Sequence, residues 1–341
     1  MKAVARLRPL PINQAEALQD IEISTPIAEP KDLLVRVEAV SVNPVDTKMR
    51  RQNSPPDKKE PPRVLGWDAA GVVERIGSEV KRFRPGDEVF YAGSLIRPGC
   101  NSEFHLVDER IAAHKPKTWT MAQSAALPLT AITAYEALFD RMGIAQHGRG
   151  ERESILIIGG AGGVGSIAIQ IAKLVKLHVV ATASRAESEA WCKKMGADLV
   201  IDHSRPMVPQ LQQMGYPTVE YILNTSSTEQ HWMAMAEAIK PQGRLCGIVD
   251  TMEPVDLNVL KRKSATFSWE FMFTRSMYHT EDLVRQHELL TQVAEWIEQG
   301  HIQPTLTETL SPITAANLRH AHAKLEEGRM IGKFVLTGWP A

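Results

Sequence analysis

The residues best placed to do chemistry lie in Ile155-Leu-Ile-Ile-Gly-Gly-Ala-Gly-Gly-Val-Gly-Ser166, where an apolar run breaks into five glycines within seven positions. A buried strand that turns at once into a helix leaves backbone N–H groups at the positive end of the helix dipole. Such a place suits a pyrophosphate. The spacing Gly160-x-Gly162-x-x-Gly165, with Ala161, Gly163 and Val164 between, fits the dinucleotide form of this turn. Glycine-rich turns also arise from packing alone. Here a strand pattern precedes the turn and a helical pattern follows it, and cofactor binding is the expectation.

The choice between NAD and NADP rests on the end of the next strand. His178-Val-Val-Ala-Thr-Ala-Ser184 reads as that strand, and it ends roughly 20 residues beyond the glycines, where an acidic residue would hold an NAD ribose. Ser184-Arg185 stands there instead, a hydroxyl and a guanidinium suited to a 2′-phosphate. In the plainer reading Ser184 caps a helix over 185–195 and Arg185 is solvated; both can hold together. NADPH is the expected cofactor.

Stepping outward from the turn, residues 1–125 read as mainly β. Leu33–Val40 alternates like a half-buried strand, and 71–76 and 85–91 suggest short strands joined by glycine turns. Residues 53–62 are a proline- and charge-rich loop. From about 128 the period changes. Thr130–Met142 looks helical, and helix 164–176 carries Val164, Ile167, Ala168, Ile171 and Val175 on one stripe. Strand patterns recur at 199–202, 219–224, 244–249 and 265–271, which predicts an α/β, doubly wound parallel sheet covered on both faces. A further amphipathic helix is expected over 281–300, and a last strand over 332–336.

With 341 residues, the chain is long enough for two domains on a prior of about 150 residues each. A formal net charge of −1 gives no general attraction to nucleic acid or anionic membrane. Cys100, Cys192 and Cys246 form no ligand or disulfide pattern and suit a reducing compartment, most simply the cytoplasm. No apolar run is long enough to span a bilayer, so no membrane partner is expected.

Several segments together resemble the medium-chain dehydrogenase/reductase superfamily, in its quinone-oxidoreductase-like branch. They are Ser41-Val-Asn-Pro-Val-Asp46, Gly66-Trp-Asp-Ala-Ala-Gly71, Pro85-Gly-Asp-Glu-Val89, Leu127–Tyr135, Gly160–Gly165, Gly196-Ala-Asp198 and Gly332-Lys333, in family order along nearly the whole chain. With Trp269-Glu-Phe-Met-Phe-Thr-Arg275 the likeness extends to the group of zinc-type alcohol dehydrogenase-like proteins. The resemblance implies a GroES-like, mainly β substrate domain over 1–127 and 274–341 and a Rossmann NADP-binding domain over 128–273, with the site where the two meet.

That group's name promises zinc, yet the places of the zinc ligands in zinc-dependent relatives hold Val42 or Asn43, Trp67 and Leu129, with only Asp68 nearby as a donor. A catalytic zinc needs about three N, S or O ligands, so no metal is expected. Near residues 90–110 only Cys100 stands where a structural zinc lobe would need four cysteines. His320 and His322, at i and i+2, would point to different faces of a helix.

Without a Lewis acid, hydride transfer from NADPH suits acceptors needing less activation, such as quinones or α,β-unsaturated carbonyl compounds, with a donor for the developing enolate. By resemblance, Asn43 lines the nicotinamide pocket and orients a carbonyl; alternatively it only ends a strand at an Asn-Pro turn. Tyr91 is the candidate phenolic donor, or a core tyrosine. Trp67 is expected to fill the place of the metal as an apolar wall. Lys48 pairs locally with Asp46 or reaches the cofactor. Thr130, Asn224, Thr225, Gly247 and Ile248 are implied cofactor contacts, and Lys333 is expected near the phosphates. Phe271–Phe273 line the pocket, an interface or the core. Relatives of this kind are commonly dimers, which makes the strand at 265–271 the expected homodimer edge. Two other functions stay open: a zinc-dependent alcohol dehydrogenase, and an NADPH-sensing or nucleic-acid-binding protein. The second is disfavoured by the short basic clusters Lys261–Lys263 and Lys48–Arg51.

Overall fold

The computed structural model describes residues 1–52, 61–146 and 153–340. All of the 53–62 loop but Pro61 and Pro62, and residues 147–152 of the stretch before the glycine strand, lie outside the described residues. The chain forms two compact units: Met1–Leu129 with Phe273–Gly300 and Pro304–Ala341, and Thr130–Met272 with His301–Gln303.

The second unit is built on six parallel strands in the order Leu199–Ile201, His178–Thr182, Ser154–Ile158, Val219–Asn224, Ile239–Gly247, Thr266–Trp269. Ser154–Ile158 is buried throughout, as its uninterrupted apolar run requires. Leu156 and Ile158 pack with Val208, Leu211, Trp232 and Met235 from the helices Met207–Gln213 and Thr228–Ala238. Ile155 and Ile157, equally buried, leave the other face by the period of two. Strand order reverses between Ser154–Ile158 and Val219–Asn224, the switch point beyond whose carboxyl ends such sheets bind ligands.

Three details differ from expectation. The segment after Pro128 is α-helical only to Tyr135; a π-helical turn, Glu136–Arg141, follows, in which Met142 N–H donates to Ala137 O at 3.0 Å. The last strand stops at Trp269, two residues early. Ser184 does not cap the following helix, which runs Ala186–Lys194 with Arg185 at its N-cap. The Ser188 hydroxyl closes the turn one residue later, accepting from Arg185 N–H and donating to Arg185 O.

In the first unit the strand Asp32–Ser41 is the hub. It pairs antiparallel with Ala69–Ile76, Phe104–Asp108 and Lys333–Thr337. The sheet continues through Glu88–Tyr91 to Ala112–His114 on one side and to Leu306–Leu310 on the other. The register Val335↔Ser41 brings Lys333 level with Asn43; the helix expected over 281–300 forms as Arg285–Glu298, and a later helix, Ala315–Glu326, adds to the expectation. Among the described residues no helix is long and apolar enough to cross a membrane.

Candidate functional site

The glycine turn joins Ser154–Ile158 to the helix Gly163–Leu174, with Gly162 at the N-cap. Gly160, Ala161 and Gly165 are buried, whereas Gly162, Gly163 and Val164 are partly exposed. The first helical turn, whose N–H groups have no intrahelical acceptor, is therefore the accessible part. Gly165 has no room for a side chain. A Cβ there would fall 2.7 Å from Gly160 Cα and closer still to Gly159 O. A Cβ on Gly162 would meet nothing nearer than Gly159 O at 3.5 Å. Packing thus accounts for the third glycine of the motif and not for the second.

Around the turn, Thr182 Oγ1 accepts from Gly159 N–H at 3.0 Å and lies 3.0 Å from His203 Nδ1. Ser184 is exposed and Arg185 half-buried, just past the carboxyl end of His178–Thr182. Asn224 is buried and spends its amide locally, donating to Thr228 Oγ1 and accepting from Ser226 N–H. Thr225 donates to Ile158 O at 2.7 Å. Ile248 N–H donates to Asn224 O, and Gly247 is covered by the rings of Phe267 and Trp269. Thr130 is buried on the helix Pro128–Tyr135. The glycine turn, Ser184, Arg185, Asn224, Thr225, Gly247 and Ile248 are thereby collected at one end of the parallel sheet.

A separate polar cluster lies inside the first unit. Asn43 caps the helix Pro44–Arg51, with Asp46 Oδ2 accepting from Asn43 N–H at 2.8 Å in a capping box. The Asn43 amide donates to Asp68 Oδ2 at 2.9 Å, and Leu129 N–H donates to Asp68 Oδ1 at 2.9 Å. Lys333 Nζ donates to Asp68 Oδ2 at 3.1 Å, to Val42 O at 2.9 Å and to Asn43 Oδ1. All four side chains are buried. Burial pushes the Asp46 carboxyl up to about 7 against the pull of Asn43 N–H and Lys333. It raises Asp68 as well, although Lys333 and Asn43 oppose it.

This cluster corrects two expectations. Lys333 is buried against Asn43 and Asp68 rather than directed to a phosphate, because its strand pairs with Asp32–Ser41. Asp46 turns inward to Asn43 N–H while Lys48, two residues on, is exposed on the same short helix, so the two do not form the local pair considered. Tyr91 also moves from donor to core. It is fully buried, stacked on His105, with its hydroxyl 3.1 Å from Nδ1, and burial holds its phenol well above the ordinary value. Trp67 is buried, donates its indole N–H to Ser94 O at 3.0 Å and meets Phe273 edge-on. Asp46 and Asp68 are the members sequence reading undervalued. The Asn-Pro-x-Asp spacing, legible as a capping box, was the available signal for Asp46; none marked Asp68 as the hub.

Two family models match the chain. The family model described as the alcohol dehydrogenase GroES-like domain matches residues 29–117, and that described as zinc-binding dehydrogenase matches 195–336. A zinc-type alcohol dehydrogenase-like protein of Staphylococcus aureus is 45% identical over 338 residues, 99% of this chain and 100% of its own. The chloroplastic quinone-oxidoreductase homolog of Spinacia oleracea is 32% identical over 254 residues, 74% of this chain and 76% of its own. Among solved structures, a protein of Rhizobium etli provisionally called a zinc-dependent alcohol dehydrogenase superposes with a TM-score of 0.95 at 49% identity, covering 100% of this chain and 99% of that one. The Escherichia coli quinone oxidoreductase, solved in complex with NADPH, shares the fold at a TM-score of 0.82 and 24% identity, over 99% of this chain and 100% of that one. With its GroES-like and Rossmann-like parts, this chain belongs to the medium-chain dehydrogenase/reductase superfamily of oxidoreductases, in the quinone-oxidoreductase-like branch.

Proposed function

We propose that the chain is an NADPH-dependent reductase that delivers hydride to a quinone or an α,β-unsaturated carbonyl compound without zinc. One observation carries this reading: Asp68, the carboxylate beside the places of the zinc ligands, already has both oxygens bonded to Leu129 N–H, Asn43 and Lys333. Val42, Trp67 and Leu129 offer no metal donor beside it. Such a donor set does not fit a catalytic zinc, whatever the relatives are called.

A nicotinamide cofactor, when bound, supplies the hydride. The residues present fit its binding: the open first turn at Gly162–Val164 for the pyrophosphate, Ser184 and Arg185 for a 2′-phosphate, and Thr225 with the Gly247–Ile248 backbone for the nicotinamide half. Asn43 keeps one amide hydrogen beyond its bond to Asp68, enough to orient an acceptor carbonyl. The Lys333 ammonium behind it favours negative charge developing on that oxygen. The edge strand Thr266–Trp269, with Trp269 48% exposed, suits a second copy of the chain. The three free thiols fit a reducing compartment such as the cytoplasm.

The test joins NADPH and NADH titrations to metal analysis on one purified sample, followed by quinone and enone panels. Tighter NADPH binding, sub-stoichiometric zinc and turnover with one of these acceptors are expected. About one zinc per chain, lost together with alcohol oxidation on chelation, would replace this reading by the alcohol dehydrogenase. Salt-sensitive binding of single-stranded nucleic acid with no turnover would replace it by a binding protein. Arg185→Ala is expected to weaken NADPH about 10- to 100-fold, as loss of a charge-assisted contact does, and to leave NADH unchanged. Equal losses for both cofactors would remove Arg185 from 2′-phosphate recognition.

A further inference from the structure

Asp46 is buried in the first unit with few donors for a charged carboxylate. Its Oδ2 accepts from Asn43 N–H at 2.8 Å, whereas its Oδ1, equally enclosed, has no hydrogen-bond partner. Lys333 does not make up the shortfall. An ammonium has three N–H donors, and those of Lys333 go to Asp68 Oδ2, Val42 O and Asn43 Oδ1. Asp68 has the opposite surroundings, with Leu129 N–H on one oxygen and the Asn43 amide and Lys333 on the other. The two carboxyl groups nevertheless meet at one residue, since Asp46 bonds the Asn43 backbone and Asp68 its side chain. Donated hydrogen bonds and a paired cation stabilise a buried charge, so Asp68 is the seat of the negative charge and Asp46 the acid that keeps its proton.

The other charged groups around the helix Pro44–Arg51 face solvent or pair elsewhere. Lys48 is exposed. Arg50 and Arg51 pair with Glu326 of the helix Ala315–Glu326, and Arg6 donates to the Arg50 and Gln52 carbonyls at the far end. His322 of that helix is neutral, because burial and then the Arg50 charge hold it down at about 3. Cys100, whose thiol donates to Asp68 O at 3.6 Å, is raised by burial and stays uncharged. Burial raises the Asp46 carboxyl to about 7, with the Asp68 charge adding to it, in agreement with the hydrogen-bond pattern.

We propose that Asp46 is a positioning residue that works in its protonated form, fixing Asn43 without setting a second negative charge beside the oxygen that Asn43 and Lys333 receive. This rests on the reading above in which Asn43 orients the acceptor carbonyl. Once ionised, Asp46 places a carboxylate against Asn43, and the oxygen held there gains negative charge less readily. The neutral acceptor binds as before, while hydride transfer slows. Asp46→Asn keeps an acceptor for Asn43 N–H and cannot ionise.

The experiment measures steady-state reduction of a quinone or enone by NADPH with the full-length protein from about pH 5.5 to about pH 8.5, bracketing that ionisation. Wild-type kcat is expected to fall about tenfold across this range, as a charge coupled to the reacting oxygen by about one pK unit gives, with KM constant within about twofold. Asp46→Asn, compared with its own value at the acid end, should show no such fall. The same fall in the variant, or a flat wild-type profile, overturns the proposal. So does failure of Asp46→Asn to fold at the acid end, because its amide stands in for the neutral acid.

Urea unfolding of both proteins over the same range separates this proposal from the reading it rests on. A carboxyl raised in the folded state contributes stability that is complete below its unfolded value, near 3.8, and is lost as pH rises through about 7. The stability of Asp46→Asn relative to wild type should therefore rise with pH. A constant difference means that Asp46 does not carry the proton, and overturns the proposal whatever the kinetics show. A rising difference with no turnover of any quinone or enone overturns the reductase reading, and the positioning role with it.

Discussion

Lys333→Met is expected to destabilise the protein by about 3–5 kcal/mol in urea unfolding, the usual cost of removing one partner from a buried ion pair. The methionine matches the lysine in length and apolar bulk, so the loss isolates the charge. Lys333 holds Asp68, Asn43 and the Val42 carbonyl at once, and both charged groups are buried. Without the ammonium, Asp68 is left with two N–H donors for a buried charge, and its already raised pKa should climb further. Adding Asp68→Asn to that variant should restore most of the loss, because a neutral amide no longer needs the cation. A single variant within about 1 kcal/mol of wild type, the worth of an exposed pair, would show that the pair is not the keystone of this cluster. The same variant should lower kcat more than it raises KM if the ammonium acts on the developing oxyanion.

The second large effect separates two glycines of one motif. Gly165→Ala forces a methyl group against the backbone of Gly159 and Gly160, and no side chain there can swing aside. We expect a loss of about 2–3 kcal/mol, at the upper part of the range for overpacking, with cofactor affinity falling as the turn is displaced. Gly162→Ala meets only Gly159 O at 3.5 Å, so its stability should stay within about 0.5 kcal/mol of wild type. Its NADPH affinity should nevertheless drop about tenfold, because the methyl group stands where a pyrophosphate would approach the first helical turn. Thermal unfolding with cofactor titration on both variants reads the two effects separately. Unchanged NADPH affinity in Gly162→Ala would move the pyrophosphate away from this turn.

The parts of this protein that its sequence determined alone are those governed by local rules. Five glycines after an apolar run allow only a tight strand-to-helix turn, and alternating strand and helix periods allow only a doubly wound sheet. The same locality explains the error at Ser184: a cap depends on which hydroxyl closes the first turn, and Ser188 does so from inside the helix. Residue types also made the poor zinc donor set visible, because Trp67 and Leu129 carry no donor in any conformation.

Only the tertiary structure decided which distant groups share one buried space. Asn43, Asp68 and Lys333 are 25 and 265 positions apart, and a strand register joins them. Arg141 and Glu270 are separated by most of the second unit and pair because a π turn and the end of a strand face each other. Tyr91 passed from candidate donor to core through the same kind of pairing, with His105 from a neighbouring part of the sheet. The physical reason is common to all three. A buried charge must find its partner in three dimensions, and burial is a property of packing that no local pattern encodes.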